Sequence, residues 1–244
     1  MSKTKIEWAT DVWNPTVGCT KISAGCKNCY AERIFERFHP GQKFSIMHIF
    51  YGKLDDPLHW KKPRRVFVDS MSDLFHKAIP TDFIIKVWLT MEKASQHTFM
   101  ILTKRPKRLY EFISNTSWGQ HPLSNVWLGV TAEDQATADE RIPLLFQTPA
   151  AVRFVSVEPM LGPVDLTWIN YKDKTFNLDL ANWVIVGCES GPAARPMQMD
   201  WVRNLRDQCV AAGVPFFLKQ ANIDGKLVKM PAIDGKIWDE IPEI

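Results

Sequence analysis

Short runs of β-branched and aromatic residues alternate with longer amphipathic stretches along most of the chain. The short runs are Val66–Asp69, Thr98–Thr103, Val126–Thr131, Val152–Val157, Trp183–Gly187 and Pro215–Lys219. Each is bounded by polar or turn-forming residues, as strands are. Between them, Thr81–Gln96 carries apolar residues at Ile84, Val87, Trp88 and Met91, a helical spacing, and opens on a Thr-Asp pair suited to an N-terminal cap. Asp134–Phe146 and Met199–Ala212 read the same way, and Ala212-Gly213-Val214-Pro215 stops a helix ahead of a strand. Strands and helices alternating at this spacing predict a parallel sheet with right-handed crossovers. A further strand before Cys19 brings the count to about seven. The expected fold is therefore α/β, a full or partial (β/α) barrel of parallel strands.

Two segments break the rhythm. Thr167–Leu180 reads as an inserted loop or hairpin. The tail after Gln220 has Asp224-Gly225 and Asp234-Gly235 turn signals, so a barrel domain over 1–220 with a small hairpin-like appendage over 221–244 is expected.

Polar residues gather where the strands end. Asp69, Ser70, Ser72 and Asp73 follow the second strand, and Thr103, Lys104 and Arg105 the third. Thr131 and Glu133 follow the fourth, Glu158 the fifth, Glu189, Ser190 and Arg195 the sixth, and Lys219 and Gln220 the seventh. The C-terminal strand ends form the active face of a parallel barrel, so this recurrence marks a polar ligand site, with Glu158, Glu189 and Lys219 as catalytic candidates.

Composition narrows the partners. The 244 residues are 45% hydrophobic and 23% charged, enough to bury a core, and the net charge is only +3. No apolar run approaches the ~20 residues of a membrane helix, and the first residues lack a secretion signal's apolar stretch, so a cytoplasmic protein without membrane contact is expected. In that reducing setting clustered thiols mean metal or redox chemistry. The ten Trp are divided by composition neither into core nor into ligand-stacking positions.

The most specific chemistry lies in the loop at 18–30, where Cys19, Cys26 and Cys29 form C-x6-C-x2-C ahead of a helix-like run from Tyr30 to Phe38. Three soft thiolates leave one coordination position open, which suits a catalytic iron–sulfur cluster. The alternative is a non-catalytic, zinc-bound protein that binds nucleic acid or a partner, with His39 as fourth ligand of a Cys3His site. An odd total of five cysteines argues against a disulfide framework. Lys61–Arg65 and Lys104–Arg108 are basic clusters beside Trp60 and Tyr110, and the second makes Arg105 and Arg108, with Arg195, candidates for nucleic-acid contact. Asp73 reads equally as a helix cap, and Lys104-Arg105 equally as a solvated pair.

A metal-bearing loop after the first strand of a parallel barrel resembles the radical S-adenosylmethionine superfamily. The usual C-x3-C-x2-C spacing is widened here in its first gap, and Asn28 stands where an aromatic residue often precedes the third cysteine. Across almost the whole chain the sequence looks like an uncharacterised phage and bacterial family named after phage gene products thirty-seven and sixty-eight. The likeness rests on Trp13-Asn14-Pro15, Gly18-Cys19-Thr20-Lys21, Gly25-Cys26 and Cys29-Tyr30-Ala31-Glu32 near the start. It continues in Ser70–Phe75, Leu102–Pro106, Val155–Pro159, Glu189–Pro192, Ala194–Pro196, Pro215–Phe217 and Lys219-Gln220, with Cys188 replacing an expected glycine.

The resemblance implies an enzyme. Cys19, Cys26 and Cys29 would hold three irons of a [4Fe–4S] cluster, and S-adenosylmethionine would chelate the fourth and be cleaved reductively to a 5′-deoxyadenosyl radical. Ser70, Ser72 and Asp73 would meet the methionyl amine, Lys104 a carboxylate or phosphate, and Thr131 and Glu133 the ribose. An electron-donor protein is the implied partner. A distant likeness to DNA-lesion lyases makes a nucleotide or nucleic acid the implied substrate, for modification or repair.

Overall fold

The computed structural model describes residues 4–243. Its fold is α/β. The main sheet has eight strands, of which the first seven follow in chain order: Asp11–Trp13, Arg65–Val68, Thr98–Thr103, Val126–Thr131, Val152–Val157, Trp183–Gly187 and Phe216–Ile223. An eighth strand, Lys226–Lys229, pairs antiparallel with the seventh. The strand order runs from one edge to the other without closing, so the partial form of the expected barrel is the one present.

Contacts along the chain define two compact units. One is built on residues up to Leu128 with Thr148–Ala151, the other on Gly129–Gln147 and the chain from Val152 onward. In the first unit the parallel register sets Asp11 beside Val66 and Val66 beside Phe99. The helix Thr81–Lys93 buries Phe83, Ile84, Val87, Trp88 and Met91. It begins at Thr81 itself, with Pro80 in the cap position and no side-chain cap bond, so the Thr-Asp pair lies one residue too late to cap. Proline's missing N–H suits a helix start, which explains the shift. The helix Pro106–Ser114, which the sequence presents as a basic cluster, buries Leu109, Phe112 and Ile113.

In the second unit Phe154 lies beside Trp183 and Val184 beside Phe216, again in parallel. Asp134 caps the helix Gln135–Gln147 by accepting from the Thr137 amide at 2.9 Å. The helix Met199–Ala212 buries Val202, Leu205 and Cys209 and ends before Gly213. The inserted segment is a hairpin of Ile169–Tyr171 with Lys174–Phe176. In the tail, Asp224-Gly225 turns the seventh strand into the eighth, and Asp234-Gly235 turns a ribbon of Ala232–Ile233 with Lys236–Ile237. Among the described residues no helix is long and apolar enough to cross a membrane.

Candidate metal centre

The cysteine loop leaves the first strand through Gly18. Its φ of 111° favours glycine, and a Cβ there would collide with the Ile46 carbonyl oxygen. Gly18 N donates to the Met71 carbonyl at 3.0 Å, the Ser72 hydroxyl donates to the Gly18 carbonyl at 2.8 Å, and Cys19 N donates to the Phe44 carbonyl at 3.0 Å. The start of the loop is thus clamped on both sides. A 3-10 turn over Ala24–Cys26 follows, and the helix Tyr30–Phe38 begins directly after Cys29. All three thiols are reduced and half-buried, and Cys19 and Cys29 pack against a small core of Ala31, Phe35 and Phe44.

Arg105 ties this loop to the third strand. One guanidinium nitrogen donates to Cys19 Sγ at 3.6 Å and Asp73 Oδ2 at 2.7 Å, the other to the Thr20 carbonyl at 3.0 Å. Asp73 is a hub. Its Oδ1 accepts from the Phe75 amide at 3.0 Å and the Thr103 hydroxyl at 2.7 Å, and its Oδ2 also accepts from the Lys104 amide at 3.2 Å. It therefore caps a turn, not a helix, and braces the loop after the third strand. His76 Nδ1 accepts from the Ala78 amide at 3.2 Å, which leaves Nε2–H to donate to the Thr20 hydroxyl at 2.8 Å. Burial and the nearby Arg105 lower the His76 pKa, keeping the ring neutral in that role.

The thiols differ electrostatically. Burial and the Asp73 charge push Cys19 up to about 11, against the pull of Arg105. For Cys26, burial raises the pKa, but a backbone bond at Ile22, the Lys104 charge and bonds from Ser23 outweigh it and lower the net value.

Asp69, in the left-handed region at φ 56°, is buried at the end of the second strand. It accepts from the Thr16 amide at 3.0 Å and the Thr16 hydroxyl at 2.8 Å. Burial nevertheless dominates and pushes its carboxyl up to about 7. An acid whose pKa rises on folding binds its proton more tightly in the folded state. Its contribution is therefore largest below the ordinary carboxyl value of 3.8 and is lost as pH climbs toward about 7. Asp69→Asn should remove that decline, seen as a flatter difference in urea stability between acid and alkaline pH. An identical pH profile for the two proteins would refute the assignment.

The other candidates from the sequence are placed as follows. Ser70 donates to Asn14 Oδ1 at 3.1 Å and its carbonyl accepts from the Tyr30 hydroxyl at 2.6 Å. Arg108 donates to the His76 and Ile79 carbonyls. Arg105 and Arg108 thus serve internal acceptors in this structure. Arg64, in the other basic cluster, bonds Asp11 and lies over Trp60 at 4.8 Å. His39 stacks on Phe35 with centroids 4.5 Å apart, and its Nδ1 bonds the Phe35 carbonyl.

In the second unit the strand-end acids are paired. Both Glu133 oxygens accept from Arg141, at 3.1 and 3.2 Å, and the same nitrogen donates to the Thr131 carbonyl at 2.9 Å. Glu158 pairs with Lys219, and a Cβ at Gly187 would stand 3.1 Å from the Glu158 carboxyl carbon, so glycine lets that carboxylate lie across the sixth strand. Arg195 closes on Glu189 through its backbone amide and guanidinium. Burial and the Glu158 charge push the adjacent Cys188 thiol up to about 11.

Chemically, three thiols on one clamped loop form the soft donor set that takes zinc or an iron–sulfur cluster, and Arg105 and Lys104 offset thiolate charge. Among the described residues no group of three His, Cys, Asp or Glu stands at metal-holding separation. The residue types match the donors such a centre takes.

Fold and site together define an α/β protein of partial-barrel type with a thiol-bearing loop beyond its first strand. Over residues 3–242 the chain matches the model of a family described as "Protein of unknown function (DUF5131)", and it belongs to that family. No curated protein and no solved structure matches the chain.

Sequence reasoning missed Arg141, His76 and the Arg105–Cys19 contact. Arg141 left a signal: with Ala138, Ile142 and Leu145 it shares the buried face of its helix, an unusual place for a charge.

Proposed function

We propose that this chain is an iron–sulfur enzyme of the radical S-adenosylmethionine type acting on a nucleotide or nucleic acid. The observation that supports this most is the set of three half-buried, reduced thiols on one clamped loop, with the Arg105 guanidinium against Cys19. Bound there, a [4Fe–4S] cluster with S-adenosylmethionine supplies reductive cleavage of a sulfonium bond. The protein's own part is positioning. Cys19, Cys26 and Cys29 are the ligands. Arg105 offsets thiolate charge and Asp73 aims Arg105. Ser72 and Gly18 fix where the loop begins. His76 and Arg105 hold Thr20, the residue after Cys19. Lys104 supplies positive charge for a cofactor carboxylate. Glu133, Glu158 and Glu189 at the strand ends of the second unit pair with Arg141, Lys219 and Arg195.

Anaerobic reconstitution should load about four irons and four sulfides per chain. Ala at Cys19, Cys26 or Cys29 should abolish loading, while Cys209→Ala, deep in the helix Met199–Ala212, should not. Reduced with dithionite, the loaded protein should release 5′-deoxyadenosine from S-adenosylmethionine. Stoichiometric zinc with no iron uptake would sink this reading and leave the zinc-bound alternative.

A further inference from the structure

Positive charge in this chain is concentrated beside the thiols. Between Thr20 and Lys53 stand Lys21, Lys27, Arg33, Arg37, Lys43 and Lys53 against Glu32 and Glu36. That stretch carries +4 of a total of +3, leaving −1 for the rest of the chain.

The same stretch exposes rings. In the helix Tyr30–Phe38, Ala31 and Phe35 face the core. Tyr30, Ile34 and Phe38 recur every fourth residue on the stripe beside that buried pair and are exposed, Phe38 to 69%. A second row of rings continues from this helix: His39 on Phe35 at 4.5 Å, Phe35 on His48 at 6.2 Å, and His48 on Phe50 at 6.4 Å, all stacked. Two exposed rings of this stretch, Phe38 and Phe50, each carry a cation. Arg37 lies over Phe38 at 5.8 Å and Lys53 over Phe50 at 4.7 Å.

We propose that this face is a binding platform for single-stranded nucleic acid. An exposed ring with a cation against it offers one base a stacking surface and the adjoining phosphate a counter-charge. Two such exposed rings, each with its own cation, suit a strand with unpaired bases, whereas a duplex keeps its bases from the rings. A second copy of this chain is disfavoured, because a two-fold interface would set this positive face against itself. An acidic protein would satisfy the cations but give the exposed rings nothing to stack. The platform deepens the reading given above by naming the substrate class, and it rests on that reading only for what is done to the bound strand.

The test uses iron-free protein, so strand binding and iron loading succeed or fail separately. A labelled oligothymidylate of about 16 nucleotides should bind, and log affinity should fall linearly with log salt. Phe38→Ala should weaken binding about tenfold, as expected for one lost stack. Arg37→Ala with Lys53→Ala should shrink the salt slope by about 1.4, near 0.7 for each lost phosphate contact. Lys226→Ala, on the exposed eighth strand, should change nothing. All these side chains are exposed, and melting curves would verify folding. No binding at low salt, or equal loss in Lys226→Ala, overturns the proposal. Polyglutamate binding as tightly as the oligonucleotide would assign the face to an acidic protein. A dimer that Phe38→Ala converts to monomer would assign it to self-association.

Discussion

Arg141→Ala should cost about 3–5 kcal/mol of stability, the largest loss expected from any single charge removal in the second unit. Glu133 and Arg141 are almost fully excluded from water, and both carboxylate oxygens accept from one guanidinium nitrogen. Deleting the cation removes the guanidinium that bonds both oxygens of a buried carboxylate and takes its donor from the Thr131 carbonyl. The pair itself need not be strongly stabilising, because burying two ions offsets most of their attraction. Glu133→Leu combined with Arg141→Met should therefore recover most of the loss. Urea denaturation of the two single variants and the double gives the cycle. A loss below ~1 kcal/mol in Arg141→Ala, or no recovery in the double, would show that the pair is not the element holding these residues.

Asp73→Ala should be comparably severe, about 3 kcal/mol or more, and should also impair metal loading. Four donors converge on this one carboxylate: the Phe75 and Lys104 amides, the Thr103 hydroxyl and Arg105. Losing it leaves buried donors unpaired and a guanidinium without its counter-charge. Asp73→Asn is an instructive companion. One of its two side-chain atoms becomes an NH2 donor, which must face other donors whichever way the amide is turned. Asn should therefore rescue little. Thermal melts with iron and sulfide analysis would check both variants. Full rescue by Asn would mean that the negative charge is dispensable and that the residue merely caps its turn.

Much of the architecture was legible because strand and helix periodicity report burial directly. Four expected strands, Thr98–Thr103, Val126–Thr131, Val152–Val157 and Trp183–Gly187, have the observed bounds, as do the helices Tyr30–Phe38 and Met199–Ala212. The helix Pro106–Ser114 was hidden because its first turn carries Lys107 and Arg108, whose charges mask the buried stripe of Leu109, Phe112 and Ile113. The site was legible in kind but not in wiring. Residue type and position marked Asp73, Lys104, Arg105 and Glu133 as polar groups at strand ends. Whether such a group meets a ligand or a neighbour depends on contacts across tens of residues, such as Arg105 to Thr20, and local sequence carries no trace of these. Arg105 and Arg108 illustrate the point: as letters they form a basic cluster, yet in space each is drawn to internal acceptors.

The bond from Arg105 to Cys19 spans 86 positions of the chain. On the ribosome, at roughly 5–20 residues per second, Cys19 is synthesised about 4–17 s before the guanidinium that bonds it. Through that interval the nascent loop lacks its third-strand anchor and presents three unshielded sulfurs to oxidants and stray metals. A chain truncated ahead of Arg105 would hold all three thiols without the cation that bonds Cys19.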